Sequence, residues 1–317
     1  MATVLITGGT GMVGRHLTQK LIERGYKVIV LSRKSGAISP QGAVSFAKWD
    51  VENQTIEPEA IAKADYIIHL AGAGVADKRW SVQRKKEIVN SRTQSSAIIV
   101  KALKEVPNHV KAVVSASAIG WYGPDTTESL HTGFIENAKA DTAYLGNTCK
   151  LWEESIEPVI ALGKRLAKLR IGIVFSNDGG ALTEFKKPLH AGLATIMGSG
   201  KQIVSWIHID DLCRMFIHAI EHDEMNGAYN AVSTNPVTNK QLIMALAKQM
   251  CGHIFIPVTV PAFVLKIMLG EMSIEVLKSA NVNNDKMRST GFDFLYPNVE
   301  AAFENLLGTQ MTRSGRI

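Results

Sequence analysis

Thr3–Arg33, TVLITGGTGMVGRHLTQKLIERGYKVIVLSR, decides the fold. Val4, Leu5 and Ile6 form a short apolar run without helical period, and Gly8, Gly9, Gly11 and Gly14 follow at once. Val13, Leu17 and Leu21 then recur every four residues, Gly25 stops the pattern, and Lys27–Leu31 is a second apolar run ending in Ser32-Arg33. Strand, tight turn, helix, strand is the order of a βαβ unit.

Such a turn serves an anion. Glycines let the backbone turn sharply and approach a phosphate closely, and the unpaired N–H groups and dipole of the helix start favour negative charge there. Gly9-Thr10-Gly11-Met12-Val13-Gly14 fits G-x-G-x-x-G, and from Gly8 the spacing is G-x-x-G-x-x-G. Between an apolar strand and an amphipathic helix this spacing points to a dinucleotide pyrophosphate, held by Gly8, Thr10, Gly11, Met12, Val13 and Gly14. At the end of the second strand an acidic residue would select a free ribose and an arginine a 2′-phosphate. Ser32, Arg33 and Lys34 stand there without a carboxylate, so NADP(H) is expected, the alternative being a solvated basic turn.

At 317 residues, 46% hydrophobic and 20% charged, the chain has the balance of a globular protein of one elaborated domain or two. No apolar run reaches membrane-spanning length and the first residues already read as a strand, so no membrane partner and a cytoplasmic location are expected. Cys149, Cys213 and Cys251 form no C-x-x-C, which argues against a disulfide framework and against a metal site. The net charge of +6 is spread out, with no basic run interleaved with aromatics, so no nucleic acid is expected; it suits an anionic ligand.

Further strands are expected at Val44–Trp49, Asp65–Leu70, Lys111–Ser115 and Ala167–Phe175. Helices are expected at Glu57–Ala64, Val82–Leu103 and Asp141–Leu162. Apolar strands alternating with helices make an α/β fold with a doubly wound parallel sheet. Ligands of such sheets lie outside the carboxyl ends of the strands, which adds Asp50, Val51, Leu70, Ala71, Gly72, Ala73, Ser115 and Ala116 to the cofactor candidates. His69 reads as a packed core histidine. Ser117 would lie at the nicotinamide end as a donor to a substrate oxygen, or be an ordinary turn serine. Beyond residue 175 the pattern changes to a smaller α/β lobe over 176–317, in which Ser205–Leu212 reads as a short strand entering a helix capped by Asp210.

TGGTGMVG at Thr7–Gly14, HLAGA at His69–Ala73, SASAIGWYG at Ser115–Gly123, LRIGIVF at Leu169–Phe175 and SWIHIDDL at Ser205–Leu212 together resemble the extended short-chain dehydrogenase/reductase superfamily. Ala76–Trp80 (ADKRW), Ser91-Arg92, Trp152-Glu153, Gly179–Leu182 and Gly291–Phe294 resemble its epimerase-family, sugar-nucleotide-epimerase-like subgroup, which carries an extra C-terminal module of unknown function, here at about 251–307. The resemblance implies a Rossmann-like NADP(H)-binding domain over 1–175, completed by sheet segments from the second half, and a smaller substrate lobe. It further implies roles for Arg170 and Gly172 at the cofactor and a homodimer packed through the two long helices.

One part of the superfamily pattern is absent. Its catalytic group is Ser/Thr with Tyr-x-x-x-Lys, because residues four apart share a helix face and the lysine lowers the tyrosine's pKa from about 10. Four residues after Tyr26, Tyr66, Tyr122, Tyr144, Tyr229 and Tyr296 stand Val30, Leu70, Thr126, Thr148, Ser233 and Glu300. Aligned on Trp152-Glu153, Leu145 takes the place of the tyrosine and Cys149 that of the lysine. Substitute catalytic candidates are Ser117, Tyr122, Tyr144, whose side chain is rotated about 100° from the expected direction, and Cys149, which as a nucleophile needs a lowered pKa and access.

Lys78, Arg79 and Trp80, with Arg92, are the candidates for an anionic or sugar-like substrate, Arg92 being equally readable as a buried structural residue. His208, Asp210 and Asp211 read as structural. The expected function is an NADP(H)-binding oxidoreductase or epimerase-like protein without the tyrosine–lysine pair; the alternative is a non-catalytic NADP(H)-binding sensor or scaffold.

Overall fold

The computed structural model describes residues 1–33 and 42–314, with side chains described to residue 308. Lys34, one of the expected cofactor residues, lies outside the described residues. The chain folds into two compact units. The first takes Met1–Trp121, Lys139–Arg170 and Leu212–Tyr229; the second takes Tyr122–Ala138, Ile171–Asp211 and the chain from Asn230 onward.

In the first unit, strand β1 (Thr3–Thr7) leads through the glycine turn into helix α1 (Met12–Glu23) and strand β2 (Lys27–Ser32). Leu17 and Leu21 are fully buried on the inner face of α1, and Gly25, at φ +83°, makes the reversal into β2 that a side chain would strain. Strand β3 (Val44–Asp50), the short β4 (Thr55–Ile56), helix α2 (Pro58–Ala62) and strand β5 (Tyr66–His69) follow. Helix α3 (Val82–Glu105) is capped by Ser81, whose Oγ accepts the Arg84 N–H at 3.1 Å. Its inward face repeats every three to four residues through Arg84, Ile88, Arg92, Ser95, Ser96, Ile99 and Leu103.

Strand β6 (Ala112–Ala118) enters the second unit's first segment, with helix α4 (Thr127–Thr132), and the chain returns to the first unit in helix α5 (Tyr144–Ile156). The expected helix over 141–162 is shorter at both ends. Gly146 packs so closely on Asp141 that a Cβ would lie 2.2 Å from its carbonyl oxygen, and after Ile156 a 3-10 turn over Glu157–Leu162, begun by Pro158 and ended by Gly163 at φ +74°, replaces the α-helix. Strand β7 (Arg165–Ile171) is followed by β8 (Ile173–Phe175). The single strand expected at 167–175 is broken at Gly172, where a Cβ would stand 2.7 Å from the Ser205 carbonyl oxygen and the N–H turns to Ala231 O at 3.1 Å.

Helix α6 (Ala181–Leu189), strands β9 (Leu193–Met197), β10 (Ile203–Val204) and β11 (Trp206–His208), helix α7 (Ile209–Glu221), strands β12 (Gly227–Ala231) and β13 (Val237–Thr238) and helix α8 (Asn239–Cys251) come next. Strand β14 (Ile256–Val260) and helices α9 (Ala262–Leu269), α10 (Ser273–Leu277), α11 (Asp285–Arg288) and α12 (Val299–Ser314) complete the described chain.

The main sheet has the order β12-β7-β6-β5-β1-β2-β3-β4. Strands β6, β5, β1, β2 and β3 run parallel, and their register aligns Ser115, His69, Thr7, Leu31 and Ala47 across the sheet. The residues just beyond this row therefore share the carboxyl edge: Gly8, Ser32, Leu70 and Ala116. A core of Leu5, Ile29, Leu31, Ile67, Ile99, Val113 and Ile156 with their neighbours fixes this edge from one face of the sheet.

The second unit has three strand pairs, β8 with β11 and β9 with β14 in parallel and β10 with β13 antiparallel. Its core stacks Phe175 on Trp206 at 5.2 Å and sets Phe303 against Phe175 at 5.5 Å with the rings tilted by 38°. Two expectations in this unit are refined. The cap of α7 is His208, whose Nδ1 accepts the Asp210 N–H at 3.0 Å, and Asp211 is a buried structural acceptor for the N–H groups of Leu295 and Tyr296. Among the described residues no helix is long and apolar enough to cross a membrane, and no cluster of His, Cys, Asp and Glu could hold a metal ion.

Candidate functional site

The glycine turn is built for close approach. Gly8, at φ +67°, accepts the Gly11 N–H at 3.0 Å, and a Cβ on it would press against the Leu70 carbonyl. A Cβ on Gly14 would stand 2.3 Å from Gly8 O, and one on Gly9 2.7 Å from the Val30 side chain. Gly14 thus sets the start of α1 on the turn and Gly9 sets the turn on β2. Thr10 and Gly11 complete the turn, and Met12 and Val13 open the helix with N–H groups that have no intrahelical acceptor and are available to a phosphate.

Thr7, which the sequence reading passed over, ties this turn to the end of β5. Its Oγ1 accepts the N–H groups of Leu70 and Ala71, both at 3.0 Å. Its own proton then goes to Nδ1 of His69 at 2.8 Å, which leaves the His69 proton on Nε2. Ser95 and Ser96 give their hydroxyl protons to the Arg92 carbonyl, so their oxygens face His69 Nε2 as acceptors at 3.4 and 3.2 Å. Burial, and secondarily the Arg92 charge, push the His69 pKa down to about 3. His69 is a neutral core residue that holds the Leu70–Ala73 segment in place.

At the end of β2, Ser32 is half-buried and Arg33 exposed. Asp50 does not reach across as an acceptor. Its Oδ1 takes the N–H groups of Glu52 and Asn53 at 3.0 Å and its Oδ2 the Asn53 amide at 2.9 Å, and those bonds from Asn53 lower its pKa. Val51 packs against the core beneath it. Both residues build the turn after β3.

Beyond β5 the loop from Ala71 to Ser81 is held by α3. Arg84 bonds the Gly74 carbonyl and pairs with Glu87 at 2.7 Å and Asp77 at 3.5 Å, Ser91 accepts the Ala73 N–H at 2.9 Å, and Arg92 Nη1 donates to Ala73 O at 3.0 Å. Gly72 lies against the Arg92 guanidinium, where a Cβ would be 3.1 Å from Cζ. Trp80 donates to Val75 O at 2.9 Å and meets the Tyr144 ring edge-on at 4.9 Å. Lys78 and Arg79 are exposed on the same loop. The spacing of Arg84, Ile88, Arg92 and Ser96 on one face of α3 was the available signal for this clamp.

At β6 the structure redirects several expected residues. Ser115 is buried and gives its hydroxyl to Ala116 O at 3.0 Å. Ser117 gives its hydroxyl to Glu153 Oε1 at 2.7 Å. Arg170, expected at the cofactor, is 3% exposed and forks onto the same carboxylate, Nε to Oε1 at 2.8 Å and Nη2 to Oε2 at 3.1 Å, with the Trp121 ring centre 3.7 Å from its Cζ. Lys168 adds a third contact at 3.4 Å. Gly172, the other residue expected there, lies in the second unit against Ser205 and Val232.

The three remaining catalytic candidates are also committed elsewhere. Tyr122 is 1% exposed, stacks on Phe134 and donates to Asn230 Oδ1 at 2.7 Å within the second unit. Tyr144 donates to the Lys85 carbonyl at 3.1 Å, and burial raises its pKa, so its hydroxyl is no ready base. Burial pushes the Cys149 thiol up to about 12, partly offset by Arg92, and the side chain is 4% exposed.

Comparison with known proteins shows the family. Residues 4–152 and 166–231 match the NAD dependent epimerase/dehydratase family, and residues 260–306 match a domain of unknown function, DUF1731. Epimerase family protein SSP1921 of Staphylococcus saprophyticus is 33% identical over 97% of this chain and 100% of its own length. Epimerase family protein YfhF of Bacillus subtilis is 31% identical over 98% and 99%. Among solved structures, that of the human epimerase family protein SDR39U1 (isoform 2) with NADPH superposes with a TM-score of 0.83 at 27% identity, covering 96% of this chain and 99% of that one.

Proposed function

The chain belongs to the NAD dependent epimerase/dehydratase family, in the extended short-chain dehydrogenase/reductase type, and from that membership we propose that it binds NADP(H) in preference to NAD(H). We propose further that it acts as an oxidoreductase or epimerase-like protein on an anionic or sugar-like small molecule. The carrying observation is the carboxyl edge of the sheet, where Gly8, Gly9 and Gly14 leave no room for a Cβ and Arg33 follows β2 with no Asp or Glu next to it in sequence. These residues fit a dinucleotide, the first through N–H groups at the start of α1, the second through a guanidinium suited to a 2′-phosphate. NADPH in the human relative's crystal supports the same choice.

The bound nicotinamide would supply hydride exchange. This chain's residues would hold the ring's surroundings through Leu70–Ala73 and Ala116, and would exclude water with Trp80 and Tyr144. Proton delivery does not come from the superfamily's pair, and Ser117, Tyr122, Tyr144 and Cys149 are bonded elsewhere or held protonated. Those commitments favour a second reading, an NADP(H)-binding sensor or scaffold without turnover. Incubation with NADPH and a panel of aldehydes, ketones and sugar nucleotides, followed at the nicotinamide absorbance, separates the two. Substrate-dependent oxidation establishes an enzyme; NADPH binding with no oxidation across the panel favours the sensor.

A further inference from the structure

Four cations of the first unit are less than a tenth exposed among the described residues: Arg84, Arg92, Lys168 and Arg170. Three of them meet carboxylates, Arg84 at Glu87 and Asp77, Lys168 and Arg170 at Glu153. Arg92 does not. Its acceptors are two carbonyl oxygens, Ala73 at 3.0 Å and Ile88 at 2.9 Å, both served by Nη1. Nε and Nη2 have no acceptor among the described residues. Neither atom is among the fully buried side-chain atoms left without a partner, so both can be reached, and a largely buried charge without a counter-charge is stabilised by an anion that arrives from outside.

The surroundings agree with a ligand and not with a loop clamp alone, which needs one donor and no charge. The guanidinium lies against Gly72 at the carboxyl end of β5, on the edge where the cofactor cradle sits. Trp152 lies under it at 4.9 Å, and the Trp152 indole N–H is itself a buried donor without an acceptor. Cys149 and Tyr144 are its electrostatic neighbours, and Cys149 is the residue that the family resemblance sets at the lysine's place. Arg92 on α3 thus brings a cation beside Cys149 on α5.

We propose that Arg92 is the oxyanion-binding group of the site, taking a carboxylate or phosphate oxygen of a small substrate through Nε and Nη2. This rests on the reading of the carboxyl edge as a cofactor and substrate site, and it names the substrate class as a small molecule bearing an oxyanion near the nicotinamide. A fork of N–H groups suits either oxyanion.

The test titrates wild type and Arg92→Met with NADP+ first, then, at saturating NADP+, with malonate, its neutral dimethyl ester and inorganic phosphate, by calorimetry and thermal denaturation. Wild type is expected to bind malonate or phosphate but not the ester, and the variant to bind that oxyanion at least tenfold more weakly while binding NADP+ as wild type does. Which oxyanion binds identifies the chemistry. Equal oxyanion affinity in both proteins, no oxyanion affinity in wild type, or loss of NADP+ binding in a folded Arg92→Met overturns the proposal. If Arg92→Met does not fold, Arg92→Lys, which keeps the charge and loses the fork, is read against the same outcomes. Because NADP+ is titrated separately, oxyanion binding that needs Arg92 in a protein indifferent to NADP+ would retain this assignment and remove the cofactor reading.

Discussion

Ser117 Oγ donates to Glu153 Oε1 at 2.7 Å, and that same oxygen receives Arg170 Nε at 2.8 Å. The hydroxyl that the superfamily pattern would turn toward substrate is here one arm of a buried ion pair. Removing the carboxylate would take the bidentate partner from the buried Arg170, while Lys168 keeps Glu157 Oε1 at 2.6 Å. Glu153→Gln is expected to destabilise the protein by about 3–5 kcal/mol, and Ser117→Ala by about 1.5–3 kcal/mol, read from urea denaturation midpoints. A Ser117→Ala protein as stable as wild type but with changed substrate response would return Ser117 to a catalytic role.

Stability should fall with acid through His69. Its folded pKa, about 3, lies below the unfolded value of 6.5, so the unfolded chain takes up the proton first. The contribution is full above pH 6.5 and is lost as pH falls toward 3. Between about pH 5.5 and 4 wild type should lose about 1.4 kcal/mol per pH unit relative to His69→Asn, and about half that near pH 6.5. A parallel pH dependence in the two proteins would remove the neutral, Thr7-bonded His69 from the account.

The Cys149 thiol, raised to about 12 and 4% exposed, should resist alkylation at pH 8 in the folded protein. Cys251, half-buried, should react first, and Cys149 only on unfolding. Peptide mapping after iodoacetamide treatment checks the order. Rapid native labelling of Cys149 would restore it as a nucleophile.

Gly14→Ala places a methyl 2.3 Å from Gly8 O, where only backbone can give way. NADP+ affinity is expected to fall by at least about tenfold. Unchanged affinity in titration would show that the turn tolerates displacement and does not hold the pyrophosphate.

Much of this architecture was legible because periodicity speaks for local structure. Val4–Ile6, the four glycines and Leu17 with Leu21 define β1, the turn and α1 without reference to the rest of the chain. Less legible were properties set by distant partners. Ser117 and Arg170 stand where the superfamily keeps functional groups, yet Glu153, 36 residues from Ser117 in sequence, takes both. Tyr122 looked available beside Ser117 until Asn230, 108 residues on, accepted its hydroxyl. Asp50 is claimed by its own turn, a local bond that the Asp-Val-Glu-Asn sequence could have signalled. The unpaired charge of Arg92 was beyond sequence altogether, since it depends on what does not meet it in space.

The central claim is that this chain holds NADP(H) through the glycine turn and Arg33, and calorimetric titration of NADPH and NADH against wild type and Arg33→Asp tests it most directly. Wild type should bind NADPH more tightly by about tenfold or more, as expected of charge-assisted bonds to a phosphate, and Arg33→Asp should erase that preference. Equal affinities in wild type, or an undiminished preference in Arg33→Asp, would contradict it.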